Sequence, residues 1–105
     1  MPRENRCDIA LEPGQVRVVV AGEVDLSWSA EIRDQILKAL REQVPVKVDL
    51  SGVDYIDSSG IAALVEGLQQ ARKHGVPFVL QRPSKAVRSV LELARLDQVF
   101  ELEEA

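Results

Sequence analysis

Hydrophobic and polar residues alternate near the start of the chain and then give way to a β-branched run. Residues 7–11 alternate, residues 12–15 (Glu-Pro-Gly-Gln) favour a turn, and residues 16–21 are mostly apolar. A strand, a tight turn and a second strand fit this order. The pattern therefore predicts an N-terminal β-hairpin.

The segment after the hairpin repeats apolar residues every three or four positions, which is the spacing of one helix face. Ser27 or Ser29 can cap this helix, and Pro45 lies beyond its end. Its expected buried face comprises Trp28, Ile32, Ile36, Leu37 and Leu40.

Two further segments have the same helical spacing. One runs from about Ser59 to His74 and ends at Gly75, where a left-handed C-cap is expected. The other opens at Pro83-Ser84. Their expected inner faces comprise Ile61, Leu64, Val65, Leu68 and Ala71 in the first, and Val87, Val90, Leu91 and Ala94 in the second.

Strands are expected at residues 46–50 and 76–80, and the short apolar tail at 96–102 can add a final strand. This order predicts an α/β fold, with a small, mixed and mostly parallel β-sheet, an N-terminal hairpin and crossover helices packed against it. Functional groups of such sheets gather in loops at the carboxyl ends of the strands. The loop at Asp25 and the loop at Asp57 are therefore expected to meet.

The bulk composition is that of one globular domain, taken as residues 1–105 with a core at about 7–102. Of the 105 residues, 46% are hydrophobic and 29% are charged, with a formal net charge of −4. A negative chain is a poor direct binder of nucleic acid. No apolar run approaches the roughly 20 residues that span a membrane, and no signal segment opens the chain, so we expect a cytoplasmic location without membrane insertion.

The chain has one cysteine, Cys7, and one histidine, His74. A single cysteine excludes an internal disulfide, and neither residue type can form the cluster that a zinc site needs. We therefore expect no metal site and no cofactor.

The turn Asp57-Ser58-Ser59-Gly60 carries the candidate chemistry, because it places two hydroxyls at a helix start. A helix N-terminus presents unpaired N–H groups and the positive end of the helix dipole, which would accommodate a phosphate on serine. The same polar residues also serve as helix caps, and glycine serves either a close approach or an easier turn. Asp25 is equally suited to supporting the first helix and to contacting a partner.

Four motifs together resemble the STAS domain of bacterial anti-sigma factor antagonists, over about the whole chain. They are Gly22-Glu23-Val24-Asp25, Val48-Asp49-Leu50-Ser51, Tyr55-Ile56-Asp57-Ser58-Ser59-Gly60 and Leu91-Glu92-Leu93-Ala94-Arg95-Leu96. The resemblance implies a STAS fold and a domain that is not an enzyme. Such a domain binds an ATP-dependent anti-sigma factor kinase and releases a sigma factor. Phosphorylation of one serine by that kinase inactivates it, and a phosphoserine phosphatase is the implied counterpart.

By the same motif, Ser58 is the implied phosphoacceptor. Ser59 falls on the family's serine-or-threonine position, and Asp57 falls on the preceding acid. Gly60 matches the glycine that lets a partner approach the backbone, and Asp25 matches the aspartate of the neighbouring loop. The resemblance thus implies partner binding at all five residues.

Three other functions agree less well with the sequence. A hydrolase is disfavoured, because Ile56 replaces the first glycine of a nucleophile elbow and His74 at a helix end is a poor base. A receiver domain phosphorylated on Asp57 lacks the paired acids that would hold magnesium. The main alternative is a STAS subunit of a lipid-transport ABC system, which binds its ATPase without phosphorylation. That branch typically resembles D-T-A-G, and this chain contains no threonine.

Overall fold

The computed structural model describes residues 4–104, and within that range it contains five strands and three helices. In chain order the elements are β1 (Arg6–Glu12), β2 (Gln15–Val24), α1 (Ser29–Leu40), β3 (Val46–Ile56), α2 (Ser58–His74), β4 (Phe78–Gln81), α3 (Lys85–Leu93) and β5 (Glu101–Glu103).

All five strands form one sheet in the order β1-β2-β3-β4-β5. β1 pairs with β2 in antiparallel orientation, and the other neighbouring strands pair in parallel. Glu12 and Gln15 pair on either side of a two-residue turn, in which Gly14 has a φ of 76°. The predicted α/β fold, with its hairpin and mixed sheet, is confirmed.

One face of the sheet and the buried stripes of the three helices form a single hydrophobic core. Its members include Val16, Val18, Val48, Leu50 and Leu80 from the sheet, and Ile36, Leu64, Val87 and Leu91 from the helices. The predicted helix faces agree with this core except at Ala94. Ala94 is exposed because α3 ends at Leu93, which leaves Ala94 as the C-cap.

β3 continues to Ile56, whereas the predicted strand ends at residue 50. The sequence Ser51-Gly52 resembles a break, but Asp49 Oδ1 accepts hydrogen bonds from the N–H (3.0 Å) and hydroxyl (2.7 Å) of Ser51. Gly52 also stays paired with Ala21 of β2. The longer strand therefore carries the chain directly to the candidate site.

The remaining element boundaries follow their expected signals closely. Gly75 ends α2 with a φ of 71°, and the Ser84 hydroxyl caps α3 by accepting the N–H of Val87 at 3.2 Å. β4 begins at Phe78, two residues later than predicted, and β5 supplies the final strand.

Candidate functional site

One carboxylate organises the turn at which α2 begins. Asp57 is the N-cap, and its Oδ1 accepts the N–H groups of Ser59 (2.9 Å) and Gly60 (3.2 Å). Its backbone carbonyl accepts the N–H of Ile61 at 3.1 Å. The N–H groups of Ser59 and Gly60 are therefore paired with Asp57, whereas the sequence led us to expect free N–H groups. That the helix start accommodates a phosphate on serine stays a prediction.

The two adjacent serines have different environments. The Ser59 hydroxyl donates to Asp57 Oδ1 at 2.5 Å, and the residue is half-buried. Ser58 is exposed, and its hydroxyl has no hydrogen-bond partner among the residues that the structure describes. Only the Ser58 hydroxyl is therefore free to approach another molecule without breaking an internal bond.

The loop between β2 and α1 is stabilised by hydrogen bonds among its own residues. Asp25 Oδ1 accepts the N–H (2.9 Å) and hydroxyl (2.5 Å) of Ser27, and the Asp25 carbonyl accepts the N–H groups of Trp28 (3.2 Å) and Ser29 (3.0 Å). The N-cap position is Trp28, which makes no side-chain capping bond. The predicted cap by Ser27 or Ser29 is therefore wrong, because the Asp25 carbonyl receives the N–H groups at the helix start. The half-buried Trp28 indole donates to the carbonyl of Glu23.

The two loops are joined at Asp57. The N–H of Asp57 donates to the Val24 carbonyl at 3.0 Å, which extends the pairing of β2 with β3. The backbone N–H of Leu26 also acts on the Asp57 carboxylate and lowers its pKa. The predicted meeting of these loops is confirmed, and residues 25–27 and 57–59 are called the paired-loop surface below.

The same contacts explain the ionisation of Asp57. The hydroxyl of Ser59 is the largest influence, and it lowers the pKa of Asp57 below its usual value. Partial burial acts in the opposite direction, and the N–H groups of Gly60, Ser59 and Leu26 lower the pKa further. Asp57 is thus a carboxylate at neutral pH, and it adds negative charge to the paired-loop surface.

Gly60 is buried, and its first-turn position is explained by packing. A Cβ added there would lie 2.6 Å from Val24 Cγ1 and 2.7 Å from Ile56 Cγ1. The close contact expected at Gly60 is therefore a contact with side chains of β2 and β3 in the same molecule. A direct contact between Gly60 and a partner stays a prediction.

Sequence reasoning missed Leu26, whose side chain is 79% exposed on the paired-loop surface. Single exposed apolar side chains are common on protein surfaces, and Leu26 is notable only for its place beside Asp25 and Asp57. A signal was available, because Leu26 lies between Asp25 and Ser27 and belongs to no helical stripe. Leu26 thus adds an exposed apolar side chain to the acidic surface.

A groove of about 330 Å³ between α1 and α2 adjoins Ser59. An ion pair between Arg33 and Glu66 joins the two helices across it. The residues that line the groove include Ser29, Ala30, Arg33, Ser59, Ala62 and Glu66. The groove extends the paired-loop surface toward the helices.

Within residues 4–104, no group of three or more His, Cys, Asp or Glu side chains is arranged to hold a metal ion. Over the same described range, none of the helices is long and apolar enough to cross a membrane.

The chain belongs to the STAS domain family, because the family model described as "Mlab, STAS domain" matches residues 7–104. The predicted family and fold are confirmed.

Individual relatives are distant in sequence but cover most of the chain. The anti-sigma-B factor antagonist of Bacillus subtilis (strain 168) is 20% identical over 95 residues, which cover 90% of this chain and 87% of that protein. The crystal structure of an anti-sigma factor antagonist from Mycobacterium paratuberculosis has a TM-score of 0.86 at 23% identity, covering 97% of this chain and 87% of that one. The Bacillus cell fate determinant SpoIIAA, in its phosphorylated form, has a TM-score of 0.72 at 18% identity, covering 92% and 90%. These solved structures share the fold described above.

Proposed function

We propose that this protein is an anti-sigma factor antagonist that acts by partner switching in the cytoplasm. Its unphosphorylated form binds an anti-sigma factor kinase through the paired-loop surface and so releases a sigma factor. The kinase then transfers the γ-phosphate of ATP to the Ser58 hydroxyl oxygen, with release of ADP and a proton. Phosphorylation ends binding, and a phosphoserine phosphatase restores the active form.

The observation that carries the proposal is the difference between the two adjacent hydroxyls. A kinase must bring its phosphate donor in line with a free hydroxyl, and Ser58 is exposed and unbonded whereas Ser59 is held by Asp57. The names of the relatives support the regulatory role, and one solved relative is a phosphorylated form.

Phosphorylation of Ser58 would weaken partner binding mainly through the charge that it adds. A phosphoserine adds about −1.5 to −2 charges at neutral pH, next to the carboxylates of Asp25 and Asp57. Because Asp57 already occupies the N–H groups of Ser59 and Gly60, the phosphate stays at the surface. The helix dipole favours it by only about 0.3–1 kcal/mol, so the fold persists while a partner meets added charge and bulk.

Of the five residues of the proposed binding surface, some contact the partner and others stabilise the two loops. Asp25 and Ser58 face the partner, and Asp57 joins the two loops beneath them. Ser59 and Gly60 hold the first turn of α2, through the bond to Asp57 and through packing. We propose no catalytic residue, because the chemistry of phosphate transfer belongs to the kinase.

Phosphorylation of matched serine variants tests the acceptor. The purified cognate anti-sigma factor kinase and ATP should label the native protein and Ser59→Ala, but not Ser58→Ala. The control is Ser59→Ala, which removes a neighbouring hydroxyl and leaves the exposed one in place. Phosphate found on Ser59 in the native protein, with Ser58 unmodified, would overturn the assignment.

Binding tests the switch and separates it from the transporter alternative. Ser58→Ala should bind the anti-sigma factor kinase like the unmodified protein, and Ser58→Asp should bind more weakly. Equal affinities would contradict the proposal. Binding to the ATPase of a lipid-transport ABC system, without phosphate transfer to Ser58, would support the alternative function.

A further inference from the structure

The two edge strands of the sheet, β1 and β5, differ in how readily a strand of another molecule could pair with them. β5 has only three residues, Glu101–Glu103, and two of them are acidic. β1 has seven residues, Arg6–Glu12, and among the described strands only β2 pairs with it. Short, charged edges resist pairing with another chain, whereas a long edge strand is a template for it. β1 is therefore the open edge.

The hairpin determines which backbone groups of β1 point away from the sheet. Residues that flank a two-residue turn form a hydrogen-bonded pair, as Glu12 and Gln15 do here. Alternate residues from Glu12 back to Arg6 consequently direct their N–H and C=O groups toward β2. Cys7, Ile9 and Leu11 direct theirs outward.

The same three residues form an apolar row on the helix side of β1. Cys7 and Ile9 are half-buried and pack against the core, and Leu11 is 71% exposed. Beside them lies a groove of about 250 Å³, lined by Ile9, Leu11, Lys38, Ala39 and Glu42. Its two charged residues have opposite signs, so a second copy meets no net charge there.

Antiparallel pairing of two β1 strands is restricted to a few registers. Outward-pointing residues must lie opposite one another, so a two-fold axis has to pass through a residue rather than between two. An axis through Ile9 pairs all seven residues of β1 and places Arg6 opposite Glu12 of the second copy. An axis through Asp8 places that acid opposite itself, and one through Ala10 places Asp8 opposite Glu12. Like charges directly opposite one another destabilise a strand pair.

We propose that the protein forms a two-fold homodimer in which β1 of each copy pairs antiparallel with the other about Ile9, extending the sheet across both molecules. The pairing covers Leu11, which lies opposite Cys7 of the second copy. On the other face of the sheet, each molecule has an ion pair between Arg6 and Asp8 and another between Arg17 and Glu12. The dimer places Arg6 of one copy beside Glu12 of the other, so that these two pairs join into one row of charges with alternating sign. The contact is one strand wide, so the dimer is weak and depends on concentration.

Sedimentation velocity over a concentration series tests the dimer. The native protein should pass from monomer to dimer, and Leu11→Lys should raise the dissociation constant by about tenfold or more, because each dimer loses two buried leucines. The matched control is Leu93→Lys, since Leu93 is 87% exposed at the end of α3 and should leave the dimer unchanged. Weakening of the dimer to the same extent by both variants would overturn the proposal.

Cross-linking tests the register. In a Cys7→Ser background, Ile9→Cys places a thiol opposite itself at a Cα separation of about 5.5 Å, within the disulfide range. Copper phenanthroline should convert this variant to a covalent dimer. Ala10→Cys should remain monomeric, because residue 10 lies opposite Asp8. Equal cross-linking of both variants would refute the register.

The dimer and the proposed function can fail separately, because β1 shares no residue with the paired-loop surface. A native protein that is monomeric at every soluble concentration refutes the dimer, whatever happens at Ser58. A monomer in which Leu11→Lys weakens binding to another protein also refutes it, and assigns the edge to that protein.

Discussion

Substitution of Gly60 by alanine separates a packing role from a partner-approach role. Gly60 lies in the first turn of α2, and a Cβ there would approach Val24 Cγ1 to 2.6 Å and Ile56 Cγ1 to 2.7 Å. Carbon atoms in contact lie about 3.5–4.0 Å apart, so both side chains would have to retreat by about 1 Å. Val24 and Ile56 are both buried, at 2% and 4% exposure, and they have little room to move.

The expected magnitude follows from two opposing effects. Alanine gains about 1 kcal/mol over glycine in helix propensity. Overpacking costs about 1–3 kcal/mol, and two buried branched side chains place Gly60→Ala in the upper part of that range. We expect the free energy of unfolding to fall by about 1–2 kcal/mol, and the melting temperature to fall by roughly 5–10 °C for a domain of this size.

Urea and thermal unfolding measure the change, and a double substitution supplies the control. Val24→Ala removes the closest methyl, so Gly60→Ala should cost less in that background than in the native protein. A variant that is about 1 kcal/mol more stable than the native protein, as helix propensity alone predicts, would refute the packing argument. A stable variant that binds its partner weakly would restore the partner-approach role.

Three further predictions concern the rest of the fold. Gly75→Ala should lower the free energy of unfolding by about 1 kcal/mol, because its left-handed backbone strains a residue that has a Cβ; Gly75→Asn should lose less, and equal losses would contradict this reason. Burial raises the pKa of Asp49, but the hydrogen bonds from Ser51 and Arg82 outweigh burial and hold it below its usual value. Asp49 therefore contributes stability above its unfolded-state pKa that is lost as pH falls through the folded-state value. In urea unfolding, the difference between native protein and Asp49→Asn should shrink from pH 7 to pH 3, and a constant difference would argue against this. Burial raises the pKa of Cys7 to about 12, so iodoacetamide at pH 8 should modify it much more slowly in the native protein than in urea, and equal rates would disprove the protection.

The sequence predicts the order of strands and helices well, because that order depends on periodicity and on local breakers. The hairpin turn and the C-cap at Gly75 are set by residues within a few positions of each other. The end of β3 depends on a tertiary arrangement instead. Ser51-Gly52 reads as a break in isolation, and the pairing of Gly52 with Ala21 keeps it in the sheet.

The motif locates the candidate site and implies Ser58 as the phosphoacceptor, but the hydrogen bonds and packing that distinguish its residues do not follow from the sequence. Ser58 and Ser59 are chemically identical, and only the direction of each side chain from the helix start distinguishes them. The role of Gly60 likewise depends on two strands that meet it from elsewhere in the chain. Such distinctions require the relative positions of elements, which local patterns do not contain.

The unbonded hydroxyl of Ser58 has a consequence for how this domain can change over evolution. Because the bonds at the start of α2 are made by Asp57 and Ser59, replacement of Ser58 leaves every one of them intact. A lineage can therefore exchange the residue at position 58, and with it the proposed phosphorylation, while keeping the same fold and the same neighbouring contacts. For protein engineers, position 58 can accept a reactive or fluorescent side chain that senses an approaching molecule.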